Sequence, residues 1–338
     1  MEEQIMYNEK PFVWILDDEW EQHELELRRY KEEGYEAKVT RIHELKDDIL
    51  TYGPIADGVV AQVGFPCGEE IINQLENCKV IAVSGVGFNH VDLEAAAERG
   101  IYVSNVPDYC MDEVSDHTIA MLLYWMRRLP HFQKEVQKNR SWDPLCITDI
   151  RRIRDVTVGL LGFGRIARKV AEKIQVFGAR VIAHDAYVDD SVFKEYGVEA
   201  VSLDKLLHES EFLSLHVPLT PETENILNEE SFKKLPINAF IVNTCRGGII
   251  NEKDLENAIK SGHIGGAALD VLTEEPPNFD HPLIHMDEVL ITPHSAYNSI
   301  ESLQTLRNRT CDIVIEGVET GKLLESLNGK SIKEKIER

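Results

Sequence analysis

Three separate segments carry side chains that could combine proton transfer with anion binding. An apolar run from Ala239 ends in Thr-Cys-Arg-Gly-Gly, which places Arg246 on a glycine-rich turn. A second apolar run ends at Asp270, shortly before Glu275, and a third leads through Thr-Pro to His294. An arginine can bind a carboxylate through two parallel hydrogen bonds, and a histidine paired with a carboxylate can act as a general acid and base. Taken one at a time, Arg246 could instead form a structural ion pair, and Glu275 and His294 could be ordinary loop residues.

Residues 156–167 have the pattern of a strand, a glycine turn and the start of a helix. Gly162 permits the tight turn, Gly164 lets the backbone approach a pyrophosphate, and Ala167 is small enough for close packing of helix on strand. The next apolar strand ends at Asp185, whose carboxylate can accept hydrogen bonds from a ribose and would repel a 2′-phosphate. The pattern predicts an NAD site. Glycine turns also serve purely structural purposes, and Asp185 alone could be a solvated strand-end residue.

The elements that must position these side chains alternate between strands and helices. Strand candidates lie at 12–16, 57–61, 80–83 and 101–104, and helical candidates at 20–32, 67–76 and 93–98. A second α/β run extends from the glycine motif to about residue 292. Such alternation predicts open parallel sheets, which bind ligands at the carboxyl ends of their strands.

Three further segments are predicted from periodicity and polarity. Residues 118–126 are apolar on more than one side, which predicts a helix buried in a core or an interface. Residues 299–320 have a helical pattern, and this helix could lead the chain back to the first domain. The polar residues 329–338 are expected to be frayed.

Length and charge limit the class of protein. The chain has 338 residues, which suggests two domains, and a formal charge of −23, which argues against nucleic acid and anionic membranes as partners. No apolar run could span a bilayer. The amino terminus lacks the basic and apolar regions of a secretory signal.

The cysteines and histidines also carry information. The six cysteines are scattered without a Cys-x-x-Cys pair, which predicts reduced thiols in a cytoplasmic protein. The histidines show no metal-ligand spacing, so no metal is expected.

Two further motifs lie at residues 84–92 (Ser-Gly-Val-Gly-Phe-Asn-His-Val-Asp) and 105–117 (Asn-Val-Pro-Asp-Tyr-Cys-Met-Asp-Glu-Val-Ser-Asp-His). Together with the segments above, they resemble the D-isomer-specific 2-hydroxyacid dehydrogenase family over nearly the whole chain. The Asn-Val-Pro-Asp-Tyr-Cys segment and Tyr297 make the chain most similar to the C-terminal-binding-protein-like branch. The resemblance implies an α/β fold in which a Rossmann NAD-binding domain (105–298) is inserted in a flavodoxin-like substrate domain (1–104 and 299–338). The active site is expected in the cleft between the two domains.

The resemblance also implies residue roles. Arg246 would bind the substrate carboxylate, His294 would be the general acid and base, and Glu275 would hold His294 charged and oriented. The cofactor-binding residues would be Gly162, Phe163, Gly164, Arg165, Ile166, Asp185, Thr118, Val217, Pro218, Thr244, Cys245 and Asp270, with Asp270 on the nicotinamide side. Val86 and Gly87 would cradle the substrate carboxylate, and Tyr297 would complete the substrate site. Cys245 stands where alanine or serine is commoner, either as a small packing residue or as an oxidation-sensitive thiol.

The expected activity is the NAD-dependent interconversion of a small-molecule 2-ketoacid and its D-2-hydroxyacid, in a homodimer joined through the apolar helix from residue 111. One alternative is an interaction protein of the C-terminal-binding-protein kind that senses NAD(H). Another is a phosphoglycerate-type dehydrogenase, which would need additional lysine or arginine in the cleft.

Overall fold

Parallel strands connected by helices form two sheets. The structure is a computed structural model that describes residues 10–336, with side chains described as far as residue 333. The strands, in chain order, are β1 (Phe12–Leu16), β2 (Glu36–Thr40), β3 (Gly58–Gln62), β4 (Val80–Ser84), β5 (Tyr102–Ser104), β6 (Thr157–Leu161), β7 (Arg180–His184), β8 (Glu199–Ala200), β9 (Phe212–Leu215), β10 (Ala239–Asn243), β11 (Ile264–Leu269) and β12 (Val289–Ile291).

The α-helices occupy the connections. In chain order they are α1 (Glu24–Glu32), α2 (Leu45–Tyr52), α3 (Glu69–Ile72), α4 (Leu93–Glu98), α5 (Met111–Met126), α6 (Leu129–Gln137), α7 (Arg165–Gln175), α8 (Asp190–Glu195), α9 (Leu203–Glu209), α10 (Glu229–Lys234), α11 (Glu252–Lys260), α12 (Ile300–Thr320) and α13 (Gly329–Ile336).

The first compact unit combines Met1–Tyr109 with Ser299–Arg338. Its parallel sheet has the strand order β2-β1-β3-β4-β5, which is the flavodoxin-like order. The central strands are fully buried because helices cover both faces, and such strands read as continuous apolar runs. Helix α12 contributes Val314 and Val318 to the core that contains Val80 of β4.

The second unit is Cys110–Asn298. Its parallel sheet has the order β12-β11-β10-β9-β6-β7-β8, so the chain changes direction between β6 and β9. Open α/β sheets bind ligands at the carboxyl ends of the strands beside such a point. The glycine turn follows β6 there, and the loops after β10, β11 and β12 carry Arg246, Asp270 and His294. The predicted two-domain α/β fold class is confirmed.

Several predicted element boundaries were wrong. Helix α1 begins at Glu24, not residue 20, because the Asp17 carboxylate accepts hydrogen bonds from the backbone N–H groups of Glu19 and Trp20 and holds a turn there. Helix α3 covers only 69–72; it does not begin at residue 67, because Cys67 forms a strand-like bridge with Val91.

The expected frayed tail is a helix, α13, over residues 329–336. Its Ile332 is buried, and Asn328, just before it, bonds to the backbone of Ile101 and Val103. Residues 337–338, and the amino-terminal residues 1–9 on which the signal-peptide expectation rests, lie outside the described residues.

The apolar helix predicted after residue 111 is α5, and its own unit explains its composition. Met121, Leu122 and Trp125 are buried in a core with Val158 of β6 and Val170 of α7. Trp125 also stacks on the ring of Phe240, with 5.2 Å between ring centroids. Most of the apolar surface of α5 is therefore used within the unit.

Candidate active site

The loops after β11 and β12 bring Glu275 and His294 together. His294 Nδ1 lies 2.6 Å from Glu275 Oε2, and Glu275 Oε1 accepts the backbone N–H of Leu272 at 2.9 Å. The carboxylate is thereby fixed at both oxygens, and the imidazole that it holds leaves Nε2 as the nitrogen available for chemistry.

The electrostatic surroundings of Glu275 favour its ionised form. Burial by itself raises the pKa of this carboxyl group. Three residues act against burial: His294 through its hydrogen bond and charge, Leu272 through its N–H, and Arg246 through its charge. Together they outweigh burial and lower the pKa below the usual glutamate value. Glu275 is therefore negative at neutral pH and stabilises positive charge on the neighbouring imidazole.

The backbone of His294 has a left-handed conformation, with φ of +49°. Few non-glycine residues adopt it, since it costs on the order of 1 kcal/mol or more unless surrounding contacts enforce it. The N–H of His294 donates to the carbonyl oxygen of Asp270 at 2.7 Å. The buried Asp270 carboxylate accepts the N–H groups of Ser295 and Ala296, each at 2.9 Å. Asp270 therefore holds the backbone on both sides of the imidazole.

The loop that carries Arg246 packs against the loop that carries Glu275 at Gly247. A Cβ atom at Gly247 would lie 2.0 Å from the carbonyl carbon of Leu272, so any larger residue would force the two backbones apart. The buried Asn243 fixes the same loop, because its amide accepts the N–H of Cys245 and donates to the carbonyl oxygen of Arg246.

The Arg246 guanidinium is half-buried and donates to the carbonyl oxygen of Cys245 at 2.6 Å. Among the side chains described, residues 10–333, no carboxylate lies within 4.0 Å of the Arg246 guanidinium. The alternative of a structural ion pair therefore has no partner within the described part of the chain. The guanidinium keeps donors for a ligand carboxylate.

The glycine turn after β6 has the shape that a pyrophosphate requires. Gly162 has φ of +92°, and a Cβ there would lie 2.4 Å from the carbonyl oxygen of His216. A Cβ at Gly164 would meet open space at the N-terminus of α7, whose first turn carries no acidic side chain. The free N–H groups of that turn, including those of Arg165 and Ile166, can bind a phosphate.

Asp185 follows β7 and faces the glycine turn. Its Oδ2 accepts the N–H of Phe163 and its Oδ1 accepts the N–H of Tyr187, each at 2.8 Å. Each carboxylate oxygen has a second lone pair, so ribose hydroxyl groups can still donate to Asp185. The residues of this turn thus fit a dinucleotide without a 2′-phosphate.

The other predicted cofactor residues lie at the carboxyl ends of β9 and β10 or on α5. Val217 and Pro218 follow β9, and Thr244 follows β10 and lies 3.1 Å, oxygen to oxygen, from Thr118 of α5. The Cys245 thiol donates to the carbonyl oxygen of Leu215, and burial raises its pKa to about 12. Since thiolate reactivity needs a low pKa, this favours the packing alternative for the thiol over oxidation sensitivity.

Residues 119–296, slightly more than half of the chain, match the NAD-binding domain of the D-isomer specific 2-hydroxyacid dehydrogenase family. The chain belongs to this family. The glyoxylate reductase of Korarchaeum cryptofilum is 34% identical over 296 residues, which cover 87% of this chain and 85% of that protein. The D-3-phosphoglycerate dehydrogenase of Methanocaldococcus jannaschii is 36% identical over 283 residues, which cover 83% of this chain and 53% of that protein. This chain therefore spans about half the length of that relative.

Among solved structures, D-lactate dehydrogenase from Aquifex aeolicus, complexed with NAD and lactic acid, superimposes with a TM-score of 0.79 and 28% identity. The match covers 95% of this chain and 98% of that one. The protein is thus an NAD-binding oxidoreductase of the D-2-hydroxyacid dehydrogenase family. The assignment to the C-terminal-binding-protein-like branch stays a prediction.

The four predicted substrate residues do not all lie in one unit, and Arg246 belongs to the second. Tyr297 belongs to the second unit, where its ring centroid is 6.3 Å from that of His294. Val86 and Gly87 follow β4 in the first unit, where the Asn105 amide donates to the carbonyl oxygen of Val86 at 2.6 Å.

Within residues 10–336, no group of three or more His, Cys, Asp or Glu side chains could hold a metal ion. Over the same range no helix combines the length and apolar character that crossing a bilayer demands.

Sequence reasoning missed the residues that support the site. Asn243 and Thr292 hold the loops of Arg246 and His294, and His117 of α5 bonds to Thr292. Asn243 ends a buried apolar strand, which is a weak sign that its amide has a structural task. No spacing in the sequence connects residue 117 with residue 292.

Proposed function

We propose that this dehydrogenase reduces a small 2-ketoacid to the D-2-hydroxyacid, with Arg246, Glu275 and His294 as its reacting set. The single observation that supports this most is the 2.6 Å bond between His294 and Glu275, beside a loop whose arginine lacks an ion-pair partner in residues 10–336. This set supplies carboxylate binding, a proton donor and the charge that stabilises the protonated donor.

The cofactor would be held by the glycine turn, Asp185 and the ends of β9 and β10, and NADH would supply the hydride. The chain itself binds and orients the ketoacid and delivers the proton. Arg246 binds the carboxylate and thereby fixes the position of the neighbouring carbonyl. The implied roles of Val86 and Gly87 as a backbone cradle, and of Tyr297 as a substrate contact, are part of the same proposal.

The hydrogen bond to Glu275 decides which imidazole nitrogen reacts. An ionised carboxylate only accepts hydrogen bonds, so Nδ1 of His294 must carry a hydrogen. Nε2 is then the nitrogen that gives a proton to the carbonyl oxygen during reduction and takes it back during oxidation. Glu275 stabilises the imidazolium form, from which the proton is given.

The first unit favours a substrate without an extra negative charge. The loops after β3 and β4, residues 63–67 and 85–90, contain no lysine or arginine, and the side chains at Val63 and Val86 are 38% and 37% exposed. The nearby Arg41, after β2, is engaged by the carbonyl oxygens of Asp17 and Trp20. A short, uncharged side chain, as in glyoxylate, pyruvate or hydroxypyruvate, suits these loops better than a phosphorylated one.

The test is NADH oxidation with glyoxylate, pyruvate, hydroxypyruvate, phenylpyruvate and phosphohydroxypyruvate, with His294→Gln alongside. We expect turnover with the small uncharged acids. In the variant kcat should fall roughly 10²–10⁴-fold, the typical contribution of general acid catalysis, while NADH binding is retained. Equal turnover in the variant would show that His294 is not the acid. A preference for phosphohydroxypyruvate would favour the phosphoglycerate-type alternative.

The alternative of an NAD(H)-sensing interaction protein predicts a different outcome of the same assay. A sensor would bind NADH tightly and oxidise it with none of the ketoacids. The complete Glu275–His294 pair favours the enzyme.

A homodimer and a cytoplasmic location also remain proposals. Because α5 is largely buried in its own unit, a dimer contact would have to include the residues after it, where Leu129, Val136, Trp142 and Leu145 are exposed.

A further inference from the structure

Helix α5 touches two of the three loops that carry the proposed reacting side chains, the loop of Arg246 and the loop of His294. Its consecutive residues His117 and Thr118 each contact a threonine: His117 Nε2 lies 3.1 Å from Thr292 Oγ1, and Thr118 Oγ1 lies 3.1 Å from Thr244 Oγ1. Thr244 and Thr292 each stand two residues before a reacting residue, Arg246 in one loop and His294 in the other. Half a turn of one helix is thus bonded to both loops.

The direction of the bonds around Thr292 follows from proton counting. A threonine hydroxyl has one hydrogen, and Thr292 gives it to Asp270 Oδ1. Its contact with His117 must therefore run the other way, with Nε2–H of His117 as the donor. The result is a chain of hydrogen bonds from His117 through Thr292 to the Asp270 carboxylate.

The far end of this chain is the backbone that carries His294. The Asp270 carboxylate, 2% exposed as a residue, accepts the N–H groups of Ser295 and Ala296. A buried carboxylate is costly unless its oxygens are hydrogen-bonded, so the orientation of Asp270 depends on all of its donors. His294 itself has φ of +49°, a conformation that such contacts must enforce.

We propose that His117 is a positioning residue, which acts through Thr292 and Asp270 to aim the His294 imidazole at the substrate. This inference rests on the proposed function of His294 and adds a residue to which the sequence assigned no task. Among the side chains described, residues 10–333, His117 forms no hydrogen bond to Glu275 or Arg246. Its Nε2 bonds to Thr292 and also lies 3.8 Å from Asp270 Oδ1, so its effect reaches His294 through these two residues.

The test compares His117→Leu, His117→Gln and the control His208→Leu. Leucine removes the donor, whereas the glutamine amide can place an N–H near the position of the imidazole Nε2. His208 lies exposed on α9 of the same unit, and within the described part of the chain its ring is bonded only to the Asp204 carbonyl oxygen and carboxylate of its own helix.

We expect His117→Leu to lower kcat about 10- to 100-fold, because misplacement of a reacting group by about 1 Å has effects of this size. The KM for the ketoacid and the dissociation constant of NADH should change little. The deuterium isotope effect on kcat with NADH labelled at the transferred hydrogen should increase. His117→Gln should recover most of kcat, and His208→Leu should match the wild type. An unchanged kcat in His117→Leu, or failure of glutamine to recover any activity, would overturn the proposal.

Thr292→Val gives an independent check of the route. If the effect of His117 passes through Thr292, the double variant should have a kcat close to that of the worse single variant, since residues in one network are not additive. Multiplication of the two effects would place His117 outside this chain of hydrogen bonds and refute the route.

A readout without turnover separates this inference from the proposed function. In ¹³C-histidine-labelled protein, the ring signal of His294, assigned from His294→Gln, should shift in His117→Leu and in Thr292→Val but not in His208→Leu. If the wild type reduced no ketoacid, the proposed function would fail while this shift would still support the positioning role. An unshifted signal would refute that role even in an active enzyme.

Discussion

The reacting side chains differ in how firmly the protein holds them. The His294 imidazole is bonded to Glu275, and its backbone is fixed by Asp270. The Arg246 guanidinium, in contrast, has a fixed backbone but donates only to the neighbouring carbonyl oxygen of Cys245 among residues 10–336. This contrast suits a proton donor that must be aimed before the reaction and a cation that closes on a ligand carboxylate.

Replacement of Arg246 by glutamine should therefore damage ketoacid binding without destabilising the fold. Loss of a charge-assisted pair of hydrogen bonds should lower kcat/KM by about 10²–10⁴-fold, at roughly 1.5–3 kcal/mol per bond. Steady-state kinetics and thermal unfolding of Arg246→Gln would measure both properties. A lower melting temperature with an unchanged kcat/KM would show that Arg246 is a structural ion-pair residue after all.

The lowered pKa of Glu275 predicts a stability effect that depends on pH. A carboxyl group with a lower pKa in the folded than in the unfolded state stabilises the fold above the unfolded-state pKa, and this contribution disappears as pH falls through the folded-state pKa. The melting temperature of the wild type should therefore exceed that of Glu275→Gln at pH 6–7, and the difference should shrink at about pH 4 and below. The effect should be small, since 35% of the side chain is exposed.

Glu274→Gln, one residue earlier and exposed, is the matched control for this comparison. The difference in melting temperature between Glu274→Gln and the wild type should not follow the same pH profile. A difference between wild type and Glu275→Gln that stayed constant from pH 7 to pH 3 would contradict the electrostatic origin of the effect.

At the scale of elements, apolar runs and glycines predicted the strands and the cofactor turn. The strand at 12–16 and the helix at 93–98 have the predicted bounds, and the open space at Gly164 is where the fingerprint needs it. These features depend on residues that are close in sequence.

The contacts that connect distant elements were not predicted. The bond between His117 and Thr292 spans 175 residues, and it exists only because α5 passes beside β10 and β11 in the folded unit. The start of α3 likewise depends on the bridge between Cys67 and Val91. No local periodicity contains such information, because it arises from tertiary packing.

The contact between the Arg246 and Glu275 loops gives a prediction at this scale. Gly247→Ala would place a methyl group 2.0 Å from the Leu272 carbonyl carbon, so the loops must separate. We expect a loss of about 1–3 kcal/mol in the free energy of unfolding, typical of overpacking, with a larger proportional loss of kcat than of NADH affinity. Chemical denaturation, kinetics and NADH titration would measure these changes.

Gly68→Ala is the control for this substitution, because its added Cβ would meet nothing within 4 Å. It should leave both kcat and stability close to the wild-type values. If Gly247→Ala behaved in the same way, the close seating of the two loops would not be needed for the site.

At the scale of the whole molecule, charge and exposed apolar surface act in opposite directions on self-association. Two copies with a formal charge of −23 each repel one another. Against this, Trp142 and Leu145 are 88% and 74% exposed on the segment after α6, and large apolar side chains exposed near one another often mark an interface. A homodimer through this segment would have to gain enough from apolar burial to overcome the repulsion.

Sedimentation velocity should therefore find a dimer of the 38.4 kDa chain whose dissociation constant falls as salt is raised, since salt screens the repulsion. Trp142→Glu should shift the protein to monomers, because it adds charge where apolar contact is needed. Leu324→Glu, an equally exposed site in the first unit, should leave the dimer intact.

A wild-type monomer at every salt concentration would refute the dimer. A dimer equally sensitive to both substitutions would mean that general charge, and not contact at residue 142, controls the association.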